Sequence, residues 1–257
     1  MMTIHPTAII AQGAQIGDNC EIGPYCIIGE NVVLGEGNKL ISHVIIEGDT
    51  HLGQGNVIHP YAVLGTDPQD LKFNGEPTRL RIGSNNTIRE FATINKSNQM
   101  EEDTVVGSRN LIMEYVHIAH NCQIGNNCII ANAVQMAGHI HMADFAIIGG
   151  QSAVHQFVHI GTQAFIGGAS AIKKDIPPYT RGQGNPYKTV GLNTVGLMRK
   201  GFSSEVLAAI KDIYNLFYRK GLNTSQAMAQ ADLLTDLLPE QKIFIEFVKN
   251  AERGISA

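Results

Sequence analysis

An aliphatic or other apolar residue recurs at every sixth position from Ile4 to Ile172, and this spacing constrains the fold most. Stepping by six from residue 4 to residue 172 visits 29 positions, of which only Asp70 and Glu76 are not apolar. Neither the helix period of about 3.6 residues nor the strand alternation of about two residues produces this pattern. A fixed short period is typical of a solenoid, in which each unit buries its apolar face against its neighbours.

Each unit of six residues suits one short strand followed by one corner. Units such as IGDNCE begin with an inward aliphatic residue, place glycine where the chain turns, and carry a second small inward residue. Three units make a triangular coil of eighteen residues, and successive coils pair as parallel strands about 4.8 Å apart. The pattern predicts a mainly β fold, the left-handed parallel β-helix of hexapeptide repeats. The left-handedness of the β-helix is inferred from other hexapeptide-repeat proteins, since the six-residue period does not determine it.

The spacing divides the chain into two predicted domains. Residues 1–190 form the β-helix, and two stretches that lose the aliphatic register, 65–81 and 96–105, are predicted to project from it as loops. Residues 191–257 form a C-terminal α-helical domain. Helical spacing starts at Ser203 and ends at Gly221. Thr224 is expected to cap a second helix that runs through Leu238, and Pro239 opens a third.

Composition excludes several classes of protein. A net charge of −4 argues against a general nucleic-acid binder, and no segment resembles a signal peptide or an integral membrane span. A cytoplasmic protein is therefore expected. The four cysteines occupy small inward positions at a spacing of six, which is not a zinc-knuckle spacing, so we expect core residues.

Six of the ten histidines lie between residues 117 and 159. Because a coil has eighteen residues, position n stacks on n−18, so that His120, Gly138 and Gln156 share one column. The same rule brings four histidines to one corner over three adjacent coils: His117, His120, His139 and His155. Such a cluster suits general acid–base catalysis or a zinc site, and a purely structural polar ladder is the third possibility.

Several motifs resemble one family closely. HIAHNCQIGNNCIIANAVQMAGHI (117–140), PQDLKFNGEPTRLRIG (68–83), DFAIIGGQSAVHQF (144–157), DIPPYTRGQGN (175–185) and GLMRKGFS (196–203) are similar to the acyl carrier protein–UDP-N-acetylglucosamine O-acyltransferases of lipid A biosynthesis. The resemblance covers essentially the whole chain. It implies a homotrimer with active sites between subunits, which transfers a 3-hydroxyacyl chain from acyl carrier protein to the 3-position of UDP-N-acetylglucosamine without a cofactor or a metal.

The resemblance also implies roles for residues at matching positions. His120 resembles the general base, and the backbone N–H of Gly138 would stabilise the oxyanion. Gly150 and Gly168 would line the acyl-chain groove, where Gly168 limits chain length. The residues expected to bind substrate are Gln69, Asp70, Lys72, His117, His139, His155, Gln156, Asn193 and Arg199. An acidic carrier protein would dock on basic residues, for which the candidates are Lys173, Lys174, Arg181, Lys188, Lys200, Arg219 and Lys220.

The chain departs from the family pattern at three places. Asn121 stands where an acidic residue often follows the catalytic histidine, Asn95-Lys96 replaces His-Arg, and Val195 replaces an acidic nucleotide contact. The alternatives are a γ-type carbonic anhydrase with histidine-bound zinc, another hexapeptide-repeat acyltransferase, and a non-catalytic β-helix. The sequence does not distinguish a 3-hydroxyl from a 3-amino acceptor, and it does not give the exact acyl length.

Overall fold

The computed structural model describes residues 2–256 and shows short strands wound into a three-sided prism, followed by a small helical domain. The first strands are β1 (Thr3–Ile4), β2 (Ile9–Ile10), β3 (Gln15–Ile16), β4 (Glu21–Ile22), β5 (Ile27–Ile28), β6 (Val33–Leu34), β7 (Lys39–Leu40), β8 (Ile45–Ile46) and β9 (Asp49–Leu52). The middle strands are β10 (Val57–Ile58), β11 (Val63–Thr66), β12 (Arg79–Ile82), β13 (Thr87–Ile88), β14 (Thr93–Asn95), β15 (Thr104–Val106), β16 (Leu111–Ile112), β17 (His117–Ile118) and β18 (Gln123–Ile124).

The remaining elements close the prism and form the second domain. The strands are β19 (Ile129–Ile130), β20 (Gln135–Met136), β21 (His141–Met142), β22 (Ile147–Ile148), β23 (Ala153–Val154), β24 (His159–Ile160), β25 (Phe165–Ile166), β26 (Ala171–Ile172), β27 (Thr180–Gln183) and β28 (Lys188–Leu192). The helices are α1 (Thr194–Arg199), α2 (Ser204–Tyr218), α3 (Thr224–Ala231) and α4 (Pro239–Lys249).

Every third strand pairs in parallel, which gives the prism three faces. Face A contains β1, β4 and every third strand to β25, face B runs from β2 to β26, and face C runs from β3 to β24. Partners are eighteen residues apart in most of the prism, as in Ile4 with Ile22 and His117 with Gln135. The predicted β-helix and its stacking rule are therefore confirmed. We call the turns between the faces the A/B, B/C and C/A corners, in chain order.

The two predicted loops are insertions that preserve the register, but they are shorter than the predicted 65–81 and 96–105. Strand β11 extends to Thr66, β12 begins at Arg79 and β15 begins at Thr104. Strand partners lie 30 residues apart across the first loop, as in Asp49 with Arg79, and 24 apart across the second, as in Leu80 with Thr104. Both loops therefore add whole multiples of six, which explains why the aliphatic spacing continues beyond them. Met100 keeps the spacing but lies in the second loop with 53 % of its surface exposed.

The core contains a polar ladder that the aliphatic pattern does not show. Asn38, Asn56, Asn86 and Asn110 are buried, and the side-chain oxygen of each accepts the backbone N–H one coil further on at 2.7–2.9 Å. The four cysteines are buried and unpaired, and burial raises the pKa of Cys122 to about 12. They are core residues, as predicted.

The C-terminal domain packs its helices around Leu197, Ile213, Phe217 and Phe244, and the antiparallel hairpin of β27 and β28 joins it to face A. Ser203 caps α2 by accepting the N–H of Val206, at the residue where the helical spacing starts. The cap of α3 differs from the prediction.

Asn223, one residue before the predicted Thr224, caps α3. The Asn223 side chain accepts the Gln226 N–H while the Gln226 side chain accepts the Asn223 N–H, a capping box. This helix ends at Ala231 rather than at Leu238. None of the helices in residues 2–256 is long and apolar enough to cross a bilayer.

Candidate active site

His120 and Gly138 lie against each other at the B/C corner, in the column that the stacking rule predicts. A Cβ atom added to Gly138 would lie 2.6 Å from Cε1 and 2.9 Å from Nε2 of the His120 ring, so only glycine leaves room for the imidazole. The backbone N–H of His139 donates to the His120 carbonyl at 3.0 Å, which joins the two coils here. The edge of the His120 ring that carries Nε2 therefore faces bare backbone.

Asn121 holds the His120 ring from the other side. Its Oδ1 lies 2.9 Å from His120 Nδ1 and also accepts the backbone N–H of Asn98 at 3.1 Å. Its Nδ2 donates to Ser97 Oγ at 2.9 Å, and Ser97 Oγ donates its own hydrogen to the Gln99 carbonyl at 2.7 Å. These contacts fix which end of the amide is oxygen. Nδ1 of His120 therefore carries the proton, and Nε2 keeps the lone pair that a base needs.

The backbone N–H of Gly138 has no acceptor among residues 2–256, whereas its carbonyl accepts the Phe157 N–H at 3.2 Å. A main-chain donor without a partner in the described residues, next to an imidazole, is available to an oxygen of a bound molecule. The column thus places one proton acceptor and one proton donor side by side.

The two inserted loops meet over His120. Asp70 in the first loop accepts the Asn98 amide at 2.7 Å and the Lys72 backbone N–H at 3.0 Å. These two bonds, followed by the nearby charge of His120, lower the pKa of Asp70 below its usual range. Gln69 and Lys72 flank this carboxylate with exposed side chains. A carboxylate therefore stays ionised beside the imidazole.

Three further histidines lie at this corner or on the strand that leads into it. His117 is half-buried with Nδ1 2.7 Å from Thr93 Oγ1, and the His139 ring stacks on Phe157 with centroids 4.6 Å apart. Burial, and then the charge of His120, lowers the pKa of both His117 and His139, so both are neutral near pH 7 and act as hydrogen-bonding groups. His155 is exposed beside Gln156, with Nδ1 3.0 Å from the Gln156 carbonyl.

The remaining predicted residues lie at other corners of the same protomer. Gly150 and Gly168 stack at the A/B corner, where a Cβ on Gly168 would lie 3.1 Å from the Gly150 carbonyl oxygen. Asn193 caps α1 and donates to the Gln163 carbonyl at the C/A corner, and Arg199 ends that helix with an exposed side chain. One protomer does not bring these residues to His120.

The departures at Asn95 and Lys96 have a structural explanation. The buried Asn95 amide donates to Thr66 Oγ1 at 3.1 Å and to the Asp67 carbonyl at 3.0 Å, and Lys96 pairs with the Asp67 carboxylate at 2.9 Å. Both residues thus anchor the first loop. Val195 is 54 % exposed on α1.

Sequence reasoning missed Ser97, Asn98 and Glu102, which contact Asn121 or Asp70. The polar second loop was the only signal for them, and the path of a loop does not follow from the hexad rule. No three histidine, cysteine or acidic side chains in the described part of the chain are grouped to hold a metal ion.

An apolar groove of about 920 Å³ lies between face C and the helices, lined by His159, Leu234 and Phe247 among others. None of its lining residues belongs to the B/C corner. The predicted site around His120 therefore lies at an open corner, outside this groove.

Comparison with protein families gives two matches. The profile described as UDP N-acetylglucosamine O-acyltransferase, domain 2, matches residues 175–256. The profile of bacterial transferase hexapeptides, six repeats, matches residues 2–36 and 103–138. The first covers the helical domain and the second covers parts of the prism.

Curated and solved proteins agree with these matches. The acyl-[acyl-carrier-protein]–UDP-N-acetylglucosamine O-acyltransferase of Verminephrobacter eiseniae is 50 % identical over 232 residues, which are 90 % of this chain and 88 % of that protein. A UDP-N-acetylglucosamine acyltransferase of Bacteroides fragilis superposes with a TM-score of 0.95 at 42 % identity, over 99 % of this chain and 100 % of its own. The Francisella novicida enzyme of the same name gives 0.96 at 39 % identity, over 99 % and 94 %.

Proposed function

The chain belongs to the family of acyl-[acyl-carrier-protein]–UDP-N-acetylglucosamine O-acyltransferases, and we propose that it transfers a 3-hydroxyacyl chain from acyl carrier protein to the 3-hydroxyl of UDP-N-acetylglucosamine. This reaction opens lipid A biosynthesis. The observation that carries the proposal is the contact of His120 with Gly138. Within residues 2–256, neither Nε2 of His120 nor the N–H of Gly138 has a hydrogen-bond partner. Acyl transfer to a hydroxyl needs these two groups, a proton acceptor and an oxyanion donor.

His120 starts the reaction as general base. Nε2 takes the proton of the sugar hydroxyl as the oxygen attacks the thioester carbonyl, and a C–O bond forms. Asn121 Oδ1 accepts the Nδ1–H at 2.9 Å, which keeps the ring oriented while it gains charge. A positioned general base contributes roughly 10²–10⁴-fold in rate. No side chain is acylated in this scheme, which fits the burial of all four cysteines.

Gly138 acts on the charge that develops on the carbonyl oxygen. Its N–H is held rigidly by the coil, so it needs no reorganisation when the tetrahedral intermediate forms. A donor of this kind is typically worth about 3 kcal/mol. The intermediate then collapses with cleavage of the C–S bond, and the imidazolium of His120 returns the proton to the departing thiolate of the carrier protein.

The residues around His120 suit the sugar acceptor. Asp70 presents an ionised carboxylate that accepts hydrogen bonds from hydroxyl groups, and neutral His117 and His139 offer ring nitrogens. Lys72, exposed in the same loop, suits the acyl donor. Asn193 and Arg199 are proposed to bind the nucleotide diphosphate, since a guanidinium pairs well with phosphate.

We propose a homotrimer because one protomer spreads these residues over three corners. A neighbouring copy is needed to bring Asn193 and Arg199, at the C/A corner, to the B/C corner of the first. An outward apolar row of stacked side chains on face A supports such packing; it consists of Leu111, Ile129, Ile147 and Phe165. Phe165 is 40 % exposed in the single protomer, and a neighbouring copy would cover this apolar surface.

The donor protein is proposed to dock near the end of the prism. All seven basic candidates have exposed side chains: Lys173, Lys174, Arg181, Lys188, Lys200, Arg219 and Lys220. An acidic partner would be steered to such a surface although the net charge of the chain is −4.

The acyl groove is proposed to pass Gly150 and Gly168. The two residues leave a strip without side chains at the A/B corner, and a side chain on Gly168 would project from this strip. Glycine at the limiting position suits a long donor of the hydroxymyristoyl class. Each methylene in a matched groove is worth about 0.8 kcal/mol, so a mismatch of two carbons costs roughly fifteen-fold.

A direct assay tests the proposal. The protein is incubated with UDP-N-acetylglucosamine, or with its 3-amino analogue, and a series of 3-hydroxyacyl and plain acyl carrier protein thioesters, and products are identified by mass spectrometry. We expect an ester at the 3-position from a long 3-hydroxyacyl donor. Absence of acyl transfer from every donor would contradict the proposal, and exclusive use of the amino sugar would correct the acceptor.

A further inference from the structure

Glu102 lies behind Asn121 and beside His139, at the end of the second loop. Its Oε2 is 3.3 Å from Asn121 Nδ2 and 3.7 Å from His139 Nδ1, and its backbone carbonyl is 3.4 Å from the same Asn121 nitrogen. The carboxylate is partly shielded, since 34 % of the side chain is exposed. A single amide therefore separates a carboxylate from Nδ1 of His120.

We infer that Glu102 is a positioning residue that supplies, through the Asn121 amide, the negative charge that stabilises the His120 imidazolium during acyl transfer. Asn121 itself is neutral and accepts the Nδ1–H without adding charge. One Nδ2 hydrogen of the same amide is directed to Ser97 Oγ and the other to Glu102, so the amide dipole lies between His120 and the carboxylate. The inference rests on the proposed function, because it takes His120 as the base.

The role of Glu102 concerns charge rather than the orientation of Asn121. Ser97 Oγ, which must accept, and the Asn98 N–H, which must donate, already fix the amide without help from the Glu102 carboxylate. Removing the carboxylate charge should therefore leave the tautomer of His120 unchanged. What is lost is the attraction between the carboxylate and the imidazolium, which the partial burial of the corner strengthens.

The other titratable groups around this pair have defined positions. Asp70 acts on His120 from the first loop, while His117 and His139 face it from face B and from the next coil. The charge of Glu102 also reaches Cys122 and His141, which lie further along the chain. Asp70 is the second carboxylate near His120, and its bonds to Asn98 and Lys72 do not involve Glu102.

Glu102→Gln tests the inference because it keeps an oxygen acceptor and removes the charge. We expect the rate at the pH optimum to fall roughly three- to tenfold and the acid limb of the pH–rate profile to move down by roughly half to one pH unit, since the imidazolium loses an opposite charge. Glu101→Gln, one residue away on the exposed side of the loop, is the matched control and should leave both unchanged.

A second variant tests the route of the charge. Asn121→Asp in the Glu102→Gln background places a carboxylate directly against Nδ1, so the acid limb should return to the wild-type pH or above it. An acid limb that stays at the wild-type position in Glu102→Gln would overturn the inference, as would an increase in KM alone.

Titration of the histidine rings by nuclear magnetic resonance gives a readout that does not depend on the reaction. The His120 signal should titrate at lower pH in Glu102→Gln than in the wild type, and an unchanged midpoint would overturn the inference. Failure of the wild-type protein to transfer any acyl group would instead refute the proposed function. The two failures are therefore distinguishable.

Discussion

Asn121 and Gly138 contact the imidazole of His120 from two sides, and each has a different effect on it. Asn121 fixes the proton on Nδ1. Gly138 leaves space for the ring, and its N–H beside the ring has no acceptor in the described part of the chain. The backbone of Asn121 has a φ of 58°, in the left-handed region that asparagine tolerates better than most residues. The corner therefore favours asparagine at 121 for conformational as well as chemical reasons.

Gly138→Ala should displace the His120 ring, because the new methyl group would lie 2.6 Å from Cε1. Moving the base out of line with the Gly138 N–H should lower kcat by about 100-fold, with little effect on Tm. Gly191→Ala is the control, since the nearest atom to its added Cβ is 3.8 Å away. Steady-state kinetics and thermal melts of both variants measure the effect. Equal loss of kcat in both variants would show that the change is not specific to the corner.

At the scale of elements, each coil repeats the same inward pattern, so the sequence predicts the strands and their stacking well. The hexads place His120 on Gly138 because a coil of eighteen residues leaves no other register. The loops do not follow from this rule, since their ends return to register while their paths depend on contacts such as Asp70 with Asn98. Ser97 and Glu102 were therefore missed.

The inward asparagines show a second limit of the pattern. In the sequence, a polar residue at a core position breaks the apolar pattern. In the structure, Asn86 both donates to Asn56 Oδ1 and accepts the N–H of Asn110, each at 2.9 Å. Each asparagine of the ladder therefore forms hydrogen bonds with polar groups of the preceding coil and of the following coil. The need for a buried ladder depends on neighbours in three dimensions, which one hexad does not reveal.

Asn86→Ala should destabilise the prism although it removes only a small side chain. The variant leaves Asn56 Oδ1 without one of its amide donors and the Asn110 N–H without its acceptor, and each buried unsatisfied group costs about 1–3 kcal/mol. Thermal unfolding followed by circular dichroism should show a Tm lower by several degrees. The exposed Asn31→Ala is the control. A Tm equal to that of the control would contradict this prediction, because it would show that the lost hydrogen bonds of Asn86 do not stabilise the fold.

At the scale of the whole molecule, the predicted functional residues occupy all three corners of the prism. His120 and Gly138 lie at the B/C corner, Gly168 at the A/B corner, and Asn193 at the C/A corner. A rigid prism cannot fold these edges together. In the proposed homotrimer, copies packed side by side would bring the corners of neighbours into contact, so assembly and activity should be lost together.

Phe165→Glu should separate the subunits, because it places a charge in the outward apolar row of face A. Sedimentation equilibrium should give about three times the 27.8 kDa chain mass for the wild type and a lower mass for the variant, with activity reduced in parallel. Leu233→Glu, at a side chain that is 81 % exposed on the helical domain, is the control. A fully active monomer would refute the assembly.

The turnover of His120→Ala tests the central claim most directly, with His5→Ala as the control because His5 is exposed in the first coil. Both variants are assayed with UDP-N-acetylglucosamine and a long 3-hydroxyacyl carrier protein, after circular dichroism and sedimentation have shown that fold and assembly are intact. The account predicts that His120→Ala lowers kcat at least about 100-fold while His5→Ala does not change it. Turnover of His120→Ala close to that of the wild type would contradict the assignment of His120 as the base.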